Sequence, residues 1–321
     1  MPSEAPGEDL RKAAGSLDRT LSAAALAAAL ALGAFSSPRA QVMEPLSYTN
    51  APIGLNFLIA GYGYLWGDVL VDPSLPVKDV DAKVHTAVLT YSRVLDFWGQ
   101  SGTFALVVPY AWLSATGEVA GQSRSVDRSG LTDVTLRLSV NLYGAPALSL
   151  PEFRDYRQDT IVGVSLMVTA PTGQYDPHRL INIGTNRWSF RPEVGVSKAV
   201  GRWTLEAAAG VTFFTDNDEF LGANVRRQDP LYSVQGHAIY NFSPTLWAAL
   251  DATYYTGGRT SVNGALNNDL QENSRWGATL ARTLDKHNSV KLYFNSGVSA
   301  RTGTNFNAVG VAWQYRWGAG L

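Results

Sequence analysis

Residues 171–200 read PTGQYDPHRLINIGTNRWSFRPEVGVSKAV. Pro, Gly, Asn and Asp crowd the first half. The chain then passes into a run in which Phe190, Val194 and Val196 alternate with Arg191, Glu193 and Ser197. A period of two puts the two sets on opposite faces of a β-strand. One apolar face and one charged face fit a wall between lipid and water. Phe190, Val194 and Val196 then meet lipid, and Arg191 and Glu193 meet a wet interior.

The same pattern recurs. Trp203, Leu205, Ala207, Ala209, Val211 and Phe213 alternate with Thr204, Glu206, Gly210 and Thr212. Leu246, Ala248, Leu250, Ala252 and Tyr254 oppose Asp251 and Thr253, and Val134, Leu136, Leu138, Val140 and Leu142 oppose Thr135, Arg137, Ser139 and Asn141. Val309, Val311, Trp313, Tyr315 and Trp317 oppose Ala308, Gly310, Ala312, Gln314 and Arg316. About twelve such segments are found, near 56–68, 83–96, 102–116, 131–143, 160–170, 188–198, 203–214, 231–242, 246–255, 275–282, 289–298 and 305–317, the length tilted membrane strands need. The first two alternate less cleanly, and their facing stays open.

Connections at 97–101, 199–202, 243–245 and 284–288 are short. Those at 69–82, 117–130, 171–187, 215–230 and 256–274 are longer and polar, with 144–159 and 299–304 as exceptions. Short turns alternating with long loops predict an all-β fold, a transmembrane antiparallel β-barrel with its short turns and both termini on the periplasmic side. A turn at Val200-Gly201 would pair Ala199 with Arg202, setting Gly195 opposite Glu206 and Glu193 opposite Ala208.

Composition sets the bounds. The 321 residues hold 26 basic and 27 acidic side chains, a net charge of −1, so nothing argues for nucleic acid or a polybasic membrane contact. The absence of cysteine excludes disulfide frameworks and thiolate metal sites. Residues 21–35 (LSAAALAAALALGAF) form an apolar run after Arg19 and before SSPRA. That layout predicts a secretory signal peptide over 1–40 and a barrel over 41–321, although the basic region is long and carries Glu4, Glu8 and Asp9.

Trp66, Trp112, Trp188, Trp203, Trp247, Trp276 and Trp317 fall near proposed strand ends, as membrane-interface aromatics do. Arg137, Arg191, Glu193, Glu206, His237, Asp251, Lys291 and Arg316 are the expected lumen-lining groups. Two readings stand for them: a polar wall that selects permeants, or interior charges that pair to plug a small barrel. Glu193 and Glu206 would lie diagonally across one hairpin. Tyr175 with 180–183, or Phe214, Phe220 and Leu221, could form an apolar mouth, or could pack the loops together.

An enzyme finds little support. Ser233 and His237 face the same way but lie four residues apart on one strand, roughly 13 Å by strand rise, too far to pair. His85, His178 and His287 are isolated, no spacing marks a metal, and no cofactor motif is present. TGGRTSVNG lacks the strand–loop–helix setting of a phosphate loop.

Several stretches together resemble the outer-membrane family named for the meta-pathway of phenol degradation. They are APIGLNFLIAGYGYLWGD, GLTDVTLRLSVNLYGAPALSLPEF, PTGQYDPHRLINIGTNRWSFRPEVGVSK, QDPLYSVQGHAIYNF and TYYTGGRTSVNG. The resemblance covers most of 51–321. It implies a barrel in the outer membrane of a Gram-negative bacterium that passes small hydrophobic or aromatic molecules, and it assigns no mechanism to any residue. The expected partners are the lipid bilayer, lipopolysaccharide, such solutes and the barrel-assembly machinery. The alternative is a closed structural or surface-interaction barrel, adhesin- or receptor-like, with a charge-plugged lumen.

Overall fold

The alternating segments fold as expected of chains in hydrocarbon, where every backbone amide must find a partner in a neighbouring strand. The computed structural model describes residues 44–68, 77–119, 121–302 and 305–321, so the leader expected over 1–40 lies outside the described residues. The strands are β1 (Leu55–Asp68), β2 (Val77–Phe97), β3 (Gln100–Val119), β4 (Gln122–Leu131), β5 (Val134–Tyr143) and β6 (Thr160–Ala170). They continue with β7 (Ser189–Val200), β8 (Trp203–Phe214), β9 (Asn217–Phe220), β10 (Asn224–Gln228), β11 (Leu231–Ser243) and β12 (Leu246–Gly257). The last are β13 (Thr260–Val262), β14 (Ala265–Leu266), β15 (Gln271–Thr283), β16 (Asn288–Ala300) and β17 (Asn305–Gly318).

β1 pairs with β17 from Leu55–Gly318 to Asp68–Asn305, which closes the sheet. β5 and β4 lie one above the other along β3, separated by Thr132 and Asp133, so the thirteen sheet strands fill the places of a twelve-stranded wall. β9, β10, β13 and β14 form a separate small sheet in the long loops.

Three expectations need correction here. The loop expected at 117–130 is instead the continued β3–β4 hairpin, and β2 begins at Val77, inside the loop expected at 69–82. Once a ladder leaves the bilayer it needs no apolar face, so the alternation fades while the hydrogen bonds go on. The β7–β8 register is also shifted by two: Val200 pairs with Trp203, Gly195 with Ala208, Glu193 with Gly210 and Ser197 with Glu206. Gly201 has φ +60° and opens the turn, a role that glycine fills and β-branched Val200 does not. A shift of two leaves every face as read, but Glu193 and Glu206 are no longer diagonal neighbours.

β1, β2 and β3 alternate poorly because their inner face is largely apolar too, with Thr86, Thr90 and Ser92 as buried polar exceptions on β2. Phe57, Ile59, Leu65, Val84, Val88, Val94, Val107 and Leu113 are buried inward, while Tyr62, Leu89 and Trp112 are exposed outward. Trp112, Trp188, Trp203, Trp276 and Trp317 also stand on the outer face, with Trp66 stacked on Tyr64. Trp247 does not join them. It is 2% exposed and packs inside the barrel against Leu46, Ile239, Ala249 and Ala281. It shares the parity of Ala249 and Asp251, which outweighs its place near a strand end.

The loop at 144–159 straps the short-turn end of the barrel. Leu148 O accepts from Ile53 N at 2.9 Å and Pro146 O from Asn50 Nδ2 at 3.0 Å. Burial pushes the Tyr156 phenol up to about 12, so its O–H stays a donor, to Gly144 O at 2.7 Å.

Leu250 is 64% exposed on the outer wall. Leu250→Arg should destabilise the barrel by about 2–4 kcal/mol if that face meets mid-bilayer lipid. Urea unfolding of the protein in liposomes checks this, and a change within error of zero would deny the lipid contact.

Candidate functional site in the lumen

The inner faces of β5 to β17 carry the buried charges, and a segment ahead of β1 is laid against them. Residues 44–54 enter the lumen from the short-turn end, with Glu44, Leu46, Tyr48, Thr49, Asn50 and Ala51 all buried. Glu44 is ion-paired with Arg137. Arg137 Nη2 lies 3.6 Å from Glu193 Oε1, and Arg191 Nη2 donates to Glu193 Oε2 at 2.6 Å. Tyr48 O–H donates to Glu193 Oε1 at 2.9 Å, and Gln235 Nε2 to Glu193 Oε2 at 3.2 Å. In this cluster Glu44 and Glu193 balance Arg137 and Arg191. Desolvating four charges is tolerable only because each is paired.

Shape reinforces charge. The Tyr48 ring lies over Gly163 and Gly195, where an added Cβ would come within 2.7 Å and 2.0 Å of ring carbons. Leu46 N donates to Glu206 Oε2 at 2.6 Å, and Asn141 Nδ2 to Thr49 O at 3.3 Å. Within the cluster there remains a cavity of about 10 Å³, lined by Ser165, Met167 and the charged groups, the room of one water.

The other expected lumen residues form separate groups. His237 Nδ1 meets Asp251 Oδ1 at 2.7 Å, and Asp251 Oδ2 accepts from Thr279 Oγ1 at 3.2 Å. Ser233 Oγ is turned to Gly210 O at 3.4 Å, so Ser233 and His237 are engaged apart. Lys291 is buried on β16. Arg316 Nε donates to Lys286 O at 2.7 Å, at the short turn between β15 and β16. Among the described residues, no group of three or more His, Cys, Asp or Glu is placed to hold a metal ion.

Sequence reasoning missed Glu44 and Tyr48. The signal was available: EPLSYTNAPIG lies before the first strand, is half apolar with one tyrosine, and does not alternate. It also missed the contrast across the lumen. From Leu55, Phe57 and Val94 near the short-turn end, through Ile59, Ala105 and Ala312, to Leu65, Leu113 and Phe306 at the far end, apolar side chains predominate on the inner wall of β1, β2, β3 and the first part of β17. This track is interrupted by Thr86, Thr90 and Ser92 on β2 and followed on β17 by Gln314 and Arg316.

Arg137→Ala should leave Glu44 and Glu193 as buried, poorly compensated carboxylates, a change that costs about 3–5 kcal/mol. The expected outcome is a folded barrel whose 44–54 segment is cut by protease, whereas Arg191→Ala, which keeps the Glu44 pair, stays protected. Equal protection in both variants would remove Arg137 from the holding of the segment.

A search of curated proteins finds no match. Among solved structures, the COG4313 outer membrane channel from Pseudomonas putida F1 is similar at TM-score 0.72 and 20% identity, over 85% of this chain and 99% of that one. The β domain of the Bordetella autotransporter BrkA gives TM-score 0.48 and 10% identity, over 83% of this chain and 100% of that one. The CymD monoaromatic hydrocarbon channel gives TM-score 0.43 and 8% identity, over 83% and 89%. Residues 67–314 match the family described as "Putative MetA-pathway of phenol degradation". The match spans most of the wall, from the end of β1 into β17, and the chain belongs to that family.

Proposed function

We propose that the protein passes small hydrophobic molecules, aromatic ones among them, passively across the outer membrane along the apolar wall of its lumen. The observation that carries this reading is the scarcity of charge on the described inner faces of β1, β2 and β3, in contrast to the buried charges of β5 to β17. Asp96 stands exposed at the end of β2, and the buried side chains are apolar or small hydroxyls such as Thr86, Thr90 and Ser92. An uncharged solute can follow such a wall without losing hydrogen bonds, while an ion would be desolvated at a cost of several kcal/mol. Membership in a family described by phenol degradation supports an aromatic cargo.

The lumen charges then serve as structural pairs: Arg137, Arg191 and Glu193 hold the 44–54 segment, and His237 and Asp251 brace the wall behind it. We take 1–40 to be an export signal and 41–321 the mature barrel, delivered to the assembly machinery, with the long-loop rim facing lipopolysaccharide. No catalytic role is assigned. The second reading, a closed barrel with loops that act as adhesin or receptor, draws on the depth to which 44–54 fills the lumen.

Uptake of toluene, phenol, benzoate and glucose into liposomes carrying the refolded barrel separates the two. Toluene and phenol should pass, and Ile59→Asp should cut their flux about tenfold by putting a charge in the track. The double variant Arg191→Ala, Glu193→Ala should mainly lower stability. Failure of every solute to pass, with that double variant merely easier to unfold, would favour the closed barrel.

A further inference from the structure

The apolar stretch ends at the extracellular mouth in a cluster of buried side chains that includes Leu65, Val84, Leu113, Phe306 and Ala308, with Val126, Ile181 and Ile183 packed against it. Lifting the two isoleucines away would leave a recess there. Its roof belongs to a different part of the chain. Ile181 and Ile183, from the loop between β6 and β7, pack onto these side chains from above.

The loop is built as a flap with a pinned neck. Asp133, in the break between β4 and β5, accepts from Gly173 N at 2.9 Å through Oδ1. Through Oδ2 it accepts from Thr185 N at 2.9 Å and Thr185 Oγ1 at 2.6 Å. Gly173 and Gly184 touch: a Cβ on either would lie 2.7 Å from backbone atoms of the other. Beyond the neck, Asn182 stiffens the tip. Its Oδ1 accepts from Asp176 N at 2.9 Å, and its Nδ2 donates to Asp176 O at 3.1 Å and Arg179 O at 3.2 Å. Near the tip the ties to other loops and strands are few and polar. They include Arg128 Nε to Ile181 O at 3.3 Å, Gly222 N to Pro177 O at 2.8 Å and Tyr175 O–H to Glu219 O at 3.1 Å.

A loop otherwise rich in Pro, Gly, Asp, Asn and Arg thus presents two branched aliphatic side chains to an apolar recess. We propose that this recess is the first binding site of the permeant, a small uncharged hydrocarbon or phenol of about one ring, whose volume Ile181 and Ile183 fill in the closed state. This rests on the reading of the protein as a hydrophobic-solute channel. The two isoleucines match such a solute in chemistry: both offer only apolar surface, and both are better off out of water. The recess runs on without a charge to Ile59 and Ala312 below it, so a solute that displaces the roof meets the track directly. One guanidinium borders the recess: Arg275 lies 3.8 Å from the centroid of the Phe306 ring and donates to Phe306 O at 3.0 Å. It is already engaged there, so a carboxylate would have to give up its water for a lining of apolar side chains.

The native chain has no cysteine, so Ile183→Cys carries a single thiol. Maleimide labelling of this variant, refolded in liposomes, should be slow at rest and accelerate about tenfold with toluene, as a ligand that selects the roof-open state requires. Benzoate and glucose should leave it unchanged. Leu180→Cys, on the exposed side of the same loop, should label at one rate throughout and so report any general effect of toluene on the membrane. Leu113→Asn in the Ile183→Cys background should abolish the acceleration. Toluene flux with unaltered Ile183→Cys labelling would overturn the recess as a binding site while leaving the channel reading intact. Acceleration by glucose or benzoate as strong as by toluene would overturn the ligand class.

Discussion

A β-sheet in hydrocarbon cannot leave an edge unpaired, and the rest of this molecule follows from that. Each exposed N–H or C=O in lipid costs several kcal/mol, so β1 must find β17, and it does along its whole length. Closure then divides every strand into a lipid face and an inner face. It also creates an interior that has to be filled or wetted. A twelve-stranded ring lies between barrels that side chains fill and barrels that hold a water channel. Here the interior is filled by the 44–54 segment, by charges paired across the wall, and by the largely apolar inner faces of the first three strands.

How far this could be read in the sequence depended on contrast between faces. Where the inner face is charged, as at Arg191 and Glu193 or Thr204 and Glu206, the period of two was plain and the faces came out right. Where the inner face is apolar, as at Phe57, Ile59, Val84 and Val88, both sides look alike and the alternation blurs. The poorly alternating strands are therefore the ones that line the proposed path. Hydrogen bonds, unlike side-chain patterns, do not stop at the membrane surface, so the β3–β4 hairpin ran past its expected end. Trp247 was assigned by nearness to a strand end, although its parity already pointed inward. The register of β7 and β8 turned on which two residues make the turn, and Gly201 decided it through its positive φ.

The candidate site was half legible. Strand periodicity identifies inner-face positions, and Arg137, Arg191, Glu193, Glu206, His237, Asp251, Lys291 and Arg316 are buried. Periodicity does not say which of them meet. Arg137 and Glu193 lie 56 positions apart on different strands and face each other only once the wall curves. Glu44 follows no period at all. A segment that crosses a lumen is held by side chains from many strands, and no local pattern records that.

The division of the lumen into a charged wall and an apolar wall is itself a consequence of the filling segment. Arg137 and Arg191 with Glu193 alone would leave an excess positive charge at low dielectric, which is costly. Glu44 supplies the missing negative charge, so the segment settles on the charged side. Had the charges been spread evenly around the barrel, a single short segment could not have satisfied them all, and each inner face would have needed water. Gathering them on β5 to β17 lets one strip of chain neutralise the main cluster, and it leaves the inner faces of β1 to β3 without a buried charge, their buried polar side chains being small hydroxyls such as Thr86, Thr90 and Ser92. A barrel that must stay shut to ions yet let hydrocarbons by has reason to keep the two jobs on opposite walls.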